Sequence, residues 1–469
     1  MTSLSGNSDE YRGRRVTIMG LGLFGGGAAA ARYFARRGAI VTVTDLKPAE
    51  RLSRSLEGLK SAGNIRLVLG EHRQEDFTGA HLVIVNPAVP KNSPFLKIAA
   101  EAGVTLDTET NIFFRKCPAP IIGITGSNGK TTTTALTAGI LEGGPHRVWL
   151  GGNIGRPLIE YVDDISPEDI VVLELSSFQT EDLHSIRRSP AVSVVTNLTP
   201  NHLDRHGTME NYAAAKKAVI KYQSPDDTVV LNADDATVRG WSDECASESA
   251  FFSLVSEVEN GAFLSDGRLY LKDNGGSHFV CGREEIRLPG DFNVANVLAA
   301  SVAAAALGAG PEQIARAARE FRGVEHRLEM FLEKDGVSYF NDSIATTPES
   351  AIAALGAVPK PIVLIAGGYD KKIPPDSFGY AIAAHCDSVV LVGQIAQILR
   401  ESIEKHRSGE KPHIIMAGTS FKDAVKQALK MRRPGGCVLL SPGTASYDMF
   451  ENFEKRGAAF KELVRSLPG

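Results

Sequence analysis

The chain has 469 residues, of which 43% are apolar and 23% charged, and its formal net charge is −4. The length predicts two to four domains, and the weak charge excludes a basic footprint for nucleic acid or an anionic membrane surface. The five cysteines are scattered and form no Cys-x-x-Cys pair, which argues against a disulfide framework or a zinc site. Without an apolar segment suited to export or membrane insertion, we expect a cytoplasmic monomer that acts on small molecules.

The first predicted domain, residues 1–108, contains a βαβ unit. A strand leads through a glycine-rich turn into a helix at residues 28–37 and then into a second strand. The turn fits G-x-G-x-x-G at Gly20, Gly22 and Gly25. Asp45 follows twenty residues later. Read alone, this fingerprint predicts an NAD(P)-dependent oxidoreductase, but the rest of the chain shows no evident hydride acceptor site.

The second predicted domain, residues 109–323, opens with a phosphate loop. The string GITGSNGKTTTT at residues 123–134 follows an apolar run, so a buried strand runs into a turn and then a helix. Such a turn presents backbone N–H groups, a helix N-terminus and Lys130 to a polyphosphate. Ile124 stands where the strict Walker pattern has glycine, yet the string still predicts a nucleoside triphosphate site. The predicted phosphate-binding residues are Gly126, Ser127, Asn128, Gly129, Lys130, Thr131 and Thr132.

Two further strands of this domain are continuous Val, Ile and Leu runs, which are typical of a parallel sheet buried on both faces. Glu174 ends the first strand, where ligands of such sheets collect, so it is well placed to hold a magnesium ion. His202 follows the second strand; a neutral imidazole there could ligate a second metal ion, although spacing alone favours an ordinary surface histidine. Lys216 lies on a predicted helix and by itself would be a solvent-exposed charge.

The remainder of the second domain has a weaker pattern. Residues 234–286 predict a peripheral β-rich segment, and a strong helical pattern resumes at residues 299–307. Asn296 lies near the start of that helix, where a polar side chain can simply cap the helix.

The third predicted domain, residues 324–469, shows four apolar strands that alternate with helical stretches, which predicts another doubly wound sheet. Lys371 follows a glycine-rich strand end and can pair with a carboxylate. The hydroxyl and backbone N–H groups near Ser446 can fix a second one. The domain therefore suits a dicarboxylic amino acid.

Four strings resemble the Mur ligase and folylpolyglutamate synthase superfamily of ATP-dependent amide-forming enzymes: TGSNGKTT, LELSSFQ, the HLD segment through Lys216, and SPGTASYDMFENFEKRG. The resemblance spans essentially the whole chain. It implies an α/β protein of three domains: a Rossmann-like N-terminal domain, a central mononucleotide-binding domain with a P-loop and a parallel sheet, and a Rossmann-like C-terminal domain. It also implies ATP-driven addition of D-glutamate to UDP-N-acetylmuramoyl-L-alanine through an acyl phosphate, a step of peptidoglycan precursor synthesis.

The resemblance assigns roles to individual residues. Two Mg²⁺ ions would be held by Thr131, Glu174, His202 and Lys216, the last as a carbamate formed with CO₂. Besides the phosphate loop, ATP would contact Asn296, Arg327 and Asp342, which implies that the second and third domains close to assemble the site. The UDP-linked substrate would contact Gly22, Leu23, Phe24, Asp45, Lys47, Asn153 and Ser176. D-Glutamate would contact Thr346, Lys371, Ser446, Tyr447 and Phe453.

Some residues depart from the pattern of the family. Ile344 stands where well-known members have lysine, and the surroundings of the uridine nucleotide would hold Phe24, Leu46, Asn86 and Ala88 instead of the polar or small residues expected. The alternatives are a neighbouring Mur ligase that adds another amino acid, a folate-type polyglutamate ligase, and a nucleotide-sensing protein without turnover.

Overall fold

The computed structural model describes residues 10–22, 25–59, 63, 65–154, 157–200, 203–371 and 373–466. The chain divides into two compact units, one of residues 1–283 and 295–318 and the other of residues 284–294 and 319–469. No helix in these described ranges has the length and apolar character needed to cross a membrane. The described residues form three β-sheets, and each sheet falls within one of the three predicted domains.

The first sheet belongs to the first unit. Its strands are β1 (Arg15–Met19), β2 (Ile40–Asp45), β3 (Ile65–Leu69), β4 (Leu82–Val85) and β5 (Thr105–Asp107). Its helices are α1 (Gly26–Arg36), α2 (Ser53–Glu57), α3 (Gln74–Thr78), α4 (Pro94–Glu101) and α5 (Glu109–Lys116). All strands are parallel in the order β3-β2-β1-β4-β5. The chain changes direction across the sheet at β1, so the glycine-rich turn lies at the switch point where ligands of such sheets bind.

The second sheet also belongs to the first unit. Its strands are β6 (Ile121–Thr125), β7 (Val148–Gly152), β8 (Ile170–Glu174), β9 (Val192–Val195), β10 (Thr228–Asn232), β11 (Glu248–Ser253), β12 (Gly261–Ser265), β13 (Arg268–Asp273) and β14 (Gly276–Gly282). The strand order is β14-β13-β12-β11-β10-β9-β6-β8-β7. Strands β6 to β12 are parallel, and β13 and β14 pair antiparallel. The predicted buried parallel sheet and the predicted β-rich segment are both confirmed, the latter as strands β11 to β14 at one edge.

The α-helices between strands β6 and β15 are α6 (Lys130–Glu142), α7 (Ser177–Ile186), α8 (Leu203–His206), α9 (Met209–Lys221), α10 (Ala236–Arg239), α11 (Asp291–Ala305) and α12 (Pro311–Glu320). Helix α11 overlaps the predicted stretch at residues 299–305 but begins earlier, at Asp291, and ends two residues before Leu307. Strand β6 lies between β8 and β9, so the loop between β6 and α6 is flanked by the ends of both neighbouring strands.

Ion pairs join the first and second sheets within the first unit. Arg32 of α1 donates from Nε to Glu160 Oε1 at 2.7 Å and pairs through Nη2 with the other oxygen. Glu160 lies on the 3₁₀ helix Leu158–Asp164, where Asp163 pairs with Arg37. Arg205 also donates to the carbonyl of Val89 at 3.0 Å. Because the Arg32–Glu160 pair is partly buried and bidentate, it is a more stable connection than a solvated single pair.

The third sheet belongs to the second unit. Its strands are β15 (Glu329–Lys334), β16 (Val337–Asn341), β17 (Ile362–Gly367), β18 (Ser388–Val392), β19 (His413–Met416) and β20 (Cys437–Leu440). Its helices are α13 (Pro348–Leu355), α14 (Asp376–His385), α15 (Ala396–His406), α16 (Phe421–Met431) and α17 (Phe453–Ser466). The order is β15-β16-β20-β17-β18-β19, parallel except for the β15–β16 hairpin. The four predicted strands are present, and the hairpin adds two. Strand β15 has no apolar run because no residue of it is fully buried.

Candidate active site

The phosphate loop connects the buried strand β6 to helix α6, as the sequence predicts. Gly126 has φ of 144° and Gly129 has φ of 83°, conformations that favour glycine. A Cβ on Gly126 would lie 1.9 Å from Thr196 Oγ1, and one on Gly129 would lie 2.3 Å from Asn296 Oδ1. Both glycines are therefore required by backbone conformation and by space. The loop N–H groups can approach a phosphate because no side chain covers these two positions.

The loop is held in place from the end of strand β9. Asn197 Oδ1 accepts from the N–H of Asn128 at 2.9 Å, and Thr196 Oγ1 donates to the Asn128 carbonyl at 2.6 Å. Ser127 Oγ donates to the Thr199 carbonyl at 2.8 Å and lies 3.1 Å from the hydroxyl of Tyr212. Tyr212 begins the Y-x-A-A-K string that ends at Lys216, within the HLD segment, but no sequence signal assigns it this contact.

Two lysines meet at the carbonyl of Gly126. Lys130 Nζ donates to this oxygen at 2.9 Å, and Lys216 Nζ donates to it at 2.8 Å. Lys216 is 1% exposed, so the expectation for an ordinary helical lysine is wrong here: helix α9 presents it inward, toward the strand ends. Burial, helped by the positive charge of Lys130, lowers the pKa of Lys216 to about 6, although Glu174 opposes the shift.

Glu174 ends strand β8 and is 2% exposed. Its Oε1 accepts from Asn153 Nδ2 at 2.7 Å, whereas Oε2 is buried with no hydrogen-bond partner among the described residues. A buried carboxylate oxygen without a partner is costly. Its position at the strand end beside the phosphate loop therefore fits a cation, as does the buried hydroxyl-bearing Thr131 at the start of α6.

Other predicted residues of the central domain have mixed outcomes. Asn296 is buried against the phosphate loop, and its Oδ1 accepts from Thr133 at 3.3 Å, so it does more than cap its own helix. Ser176 caps α7 in a reciprocal capping box with Gln179, which uses its side chain locally. His202 lies outside the described residues.

The glycine-rich turn of the first sheet is fastened by the acidic residue that completes its fingerprint. Asp45 Oδ2 accepts from the N–H of Gly22 at 3.2 Å, and Oδ1 accepts from the N–H of Lys47 at 2.9 Å. A Cβ on Gly20 or Gly22 would lie 3.0 Å from the side chain of Asn86, one of the residues that depart from the family pattern. Leu23 and Phe24 lie outside the described residues.

Gly27, which the fingerprint does not include, is the glycine that allows close packing of α1. A Cβ there would lie 2.5 Å from the Leu21 carbonyl oxygen.

Two predicted nucleotide contacts lie in the second unit. Asp342 is buried, and its carboxylate accepts from the N–H of Leu328 at 3.1 Å and from Ser441 Oγ at 2.7 Å. Burial raises the pKa of Asp342 to about 7, although these hydrogen bonds and nearby arginines oppose the shift.

Arg327 lies between two residues with left-handed backbone, His326 at φ 64° and Leu328 at φ 42°. Strain of this kind often marks functional segments, and Arg327 Nε is buried without a partner in the described part of the chain.

The five residues predicted to contact D-glutamate also lie in the second unit. Lys371 Nζ donates to the carbonyl of Thr346 at 2.9 Å. Tyr447 is exposed, with its ring 6.0 Å from that of Tyr369. Ser446 is buried, and Phe453 begins helix α17.

Family models match most of the chain. The Mur ligase MurD-like N-terminal domain matches residues 14–107, the Mur ligase middle domain residues 124–304, and the Mur ligase glutamate ligase domain residues 326–443. The UDP-N-acetylmuramoylalanine--D-glutamate ligase of Roseiflexus is 44% identical over 98% of this chain and 100% of its own length. The enzyme of the same name from Acetivibrio thermocellus is 40% identical over 99% of both. The chain belongs to the Mur ligase family.

Solved structures of other Mur ligases share the fold. The MurC ligase of Thermotoga maritima has a TM-score of 0.59 at 20% identity and covers 97% of this chain and 99% of its own. The MurF ligase of the same organism, solved with ADP, has a TM-score of 0.56 at 20% identity and covers 98% and 97%. These Mur ligases support the predicted α/β fold with Mur ligase N-terminal, middle and C-terminal domains.

Proposed function

We propose that this protein joins D-glutamate to UDP-N-acetylmuramoyl-L-alanine with ATP, in the cytoplasm and as a monomer. Support comes from the full-length relatives that carry this ligase name. The observation in the structure that carries the proposal is Glu174 Oε2, which is buried with no hydrogen-bond partner among the described residues and lies beside a phosphate loop that also contacts Lys216. We assign residues 1–108 to the uridine nucleotide, 109–323 to ATP and 324–469 to the amino acid.

Magnesium fits the donor set of the phosphate-loop region. Glu174 and Thr131 offer the oxygen ligands that this ion prefers, and His202 with modified Lys216 would complete the sites for two ions. When bound, Mg²⁺ neutralises charge on the triphosphate oxygens. Lys130 adds a fixed positive charge at the same loop. There the substrate carboxylate would attack the γ-phosphoryl group of ATP, forming an acyl phosphate and releasing ADP, and the lysine would stabilise the charge that develops.

The surroundings of Lys216 support the proposed carbamate. With a pKa of about 6, the amine is mostly neutral at pH 7.5, and only a neutral amine attacks CO₂. The nitrogen forms a bond to the CO₂ carbon and releases one proton, which leaves an anionic carbamate. This change places anionic oxygen ligands close to Lys130, where the neutral amine offers none.

The amino-acid site and the uridine site are proposed from the remaining residues. Lys371, Thr346, Ser446, Tyr447 and Phe453 would receive D-glutamate, whose amine attacks the acyl phosphate and releases phosphate. Gly22, Leu23, Phe24, Asp45, Lys47, Asn153 and Ser176 would receive the UDP-linked substrate. Asn296, Arg327 and Asp342 would contact ATP.

Phosphate release from ATP tests the function. Purified protein is supplied with UDP-N-acetylmuramoyl-L-alanine and with each D- and L-amino acid separately, and Lys130→Ala is the control without catalysis. We expect release with D-glutamate alone. Release with another amino acid would identify a neighbouring Mur ligase, and turnover of a folate with L-glutamate would identify the folate-type alternative. Nucleotide binding without any turnover would identify a sensor.

A further inference from the structure

Arg456 is a charged residue in the interior of the second unit. It lies in the first turn of helix α17 and is 1% exposed. Its Nε and Nη2 donate to Ser343 Oγ at 3.0 Å and to the Ser343 carbonyl at 2.8 Å, and Nη1 and Nη2 both donate to the Thr444 carbonyl at 3.1 Å. Only a planar guanidinium has enough fixed donors for this pattern.

These contacts join the chain segments that carry the proposed D-glutamate residues. Ser343 is three residues before Thr346, and its hydroxyl donates to the carbonyl of Phe453 at 2.8 Å. Thr444 is two residues before Ser446. Arg456 therefore connects the segment after β16, the turn after β20 and the start of α17.

A fourth segment, after strand β17, is connected through Thr444. The Thr444 hydroxyl donates to the carbonyl of Tyr369, and the N–H of Tyr369 donates to the Ala445 carbonyl at 2.9 Å. Tyr369 is two residues before Lys371. Gly368 has φ of 136°, and a Cβ there would lie 3.3 Å from Arg456 Nη1, so the glycine lets this segment pass close to the guanidinium.

The charge of Arg456 is not neutralised by direct contact. Within the described ranges, its four hydrogen bonds go to uncharged oxygens of two residues, and Asp342 and Asp448 act on it only through longer-range attraction. Burial lowers the pKa of Arg456 to about 9, so it remains a cation at neutral pH. Burial and the charge of Arg456 together lower the pKa of Lys371. Two cations thus repel each other here, and an anionic ligand would relieve this repulsion.

We propose that Arg456 is a positioning residue of the amino-acid site, and that its buried charge makes the site prefer a dicarboxylic amino acid to the corresponding amide. The inference rests on the proposed function, because it concerns the same site. The hydrogen bonds would fix the geometry of the four segments, and the charge would select the second carboxylate.

Selectivity between D-glutamate and D-glutamine tests this inference in the full-length protein. The KM for D-glutamate and the inhibition constant of D-glutamine are measured for wild type, Arg456→Gln and Arg456→Lys. Arg465→Gln, on the same helix, is the control, since Arg465 is exposed. Arg456→Gln loses both the planar group and the charge, so we expect weaker binding of both amino acids. The KM for D-glutamate should rise by about tenfold more than the D-glutamine constant, as for loss of a charged contact, with little change in the KM for ATP.

Arg456→Lys keeps the charge and loses the planar group. It should therefore weaken the binding of both amino acids while retaining the preference for D-glutamate. This variant keeps the inference testable if Arg456→Gln does not fold, as judged by thermal unfolding. Two results would overturn the role of the charge. One is an equal loss of affinity for D-glutamate and D-glutamine in Arg456→Gln, and the other is loss of the preference for D-glutamate in Arg456→Lys.

Failure of the proposed function can be distinguished from failure of the inference about Arg456. Wild-type phosphate release identifies the amino acid used; if another dicarboxylic acid is used, the same ratio is measured with that acid and its amide. Use of an amino acid with an uncharged side chain would refute both the proposed function and the role of Arg456.

Discussion

Lys216 shows how the surroundings of one residue change its chemistry. The Y-x-A-A-K string places it on a helix, and the helix periodicity alone gives no reason to bury it. The contact with Gly126 forms only when the helix packs onto the sheet. The ring of Tyr212, one turn earlier on the same helix, has its centroid 4.7 Å from Nζ. A lysine that is neutral near pH 7 can accept a modification that an exposed lysine, charged at this pH, does not.

Replacing Lys216 should remove activity in a way that small anions partly reverse. In Lys216→Ala, we expect nearly complete loss of phosphate release, because the carbamate oxygens are missing, and partial recovery with acetate or formate. Lys216→Arg should not recover, since the guanidinium fills the space with a cation. Mass analysis of active wild-type enzyme that finds only the unmodified amine would contradict the carbamate.

The same residue predicts a pH dependence of stability. The pKa of Lys216 is about 6 in the folded protein and 10.5 for an ordinary lysine. Between these values the unfolded chain binds a proton that the folded protein does not, so this residue makes stability rise with pH. In CO₂-free buffer, Lys216→Met should therefore have a higher Tm than wild type near pH 6, and the difference should shrink toward pH 10. A constant difference across this range would contradict the lowered pKa.

At the scale of elements, the phosphate loop and its helix illustrate what the sequence could predict. An apolar strand, two glycines and Lys130 are adjacent in the chain, so the β6–loop–α6 unit follows from local pattern. The β15–β16 hairpin could not be predicted in this way, because its first strand is half exposed and lacks a continuous apolar run. The network around Arg456 cannot be predicted from local pattern either, because Ser343 is 113 residues away in the chain and reaches the arginine only in the folded domain.

Two glycines of the β6–loop–α6 segment, Gly129 and Gly139, provide a matched test of the phosphate loop. Gly129→Ala should lose ATP binding and about 1–2 kcal/mol of folding free energy through its left-handed backbone, in addition to its clash with Asn296. Gly139 lies inside helix α6, and a Cβ there would meet no neighbouring segment within 4 Å, so Gly139→Ala should raise stability by about 0.5–1 kcal/mol. Calorimetric ATP titration and thermal unfolding of both variants measure this; normal ATP affinity in Gly129→Ala would contradict the assigned loop.

At the scale of the whole molecule, local motifs predict individual sites better than they identify the ligands of those sites. Gly20, Gly22, Gly25 and Asp45 give the fingerprint of a dinucleotide site, but the Asp45 carboxylate holds the turn itself through two backbone N–H groups. Similarly, the end of strand β8 placed Glu174 correctly, while its partner Asn153 could not be inferred, because residues on neighbouring strands meet only after the sheet forms.

The full-length protein should bind the UDP-linked substrate more tightly than NAD. The glycine-rich turn accepts any pyrophosphate at the start of α1, so the base and ribose contacts decide, and Asp45 is already engaged with the turn. Calorimetric titration with UDP-N-acetylmuramoyl-L-alanine and with NAD measures both affinities, with Gly20→Ala as the control for binding at the turn. Tighter binding of NAD would overturn the assignment of this domain.

The ion pairs between Arg32 and Glu160 have a consequence for the length of the substrate. They fasten helix α1, which starts at the glycine-rich turn, to the segment that follows strand β7, so the distance from that turn to the phosphate loop is set within one unit. With the uridine end held at the turn, as proposed, this fixed distance selects substrates by their length. We therefore expect slower phosphate release with a precursor that lacks its alanine or carries further residues, because its carboxylate would not coincide with the phosphate loop.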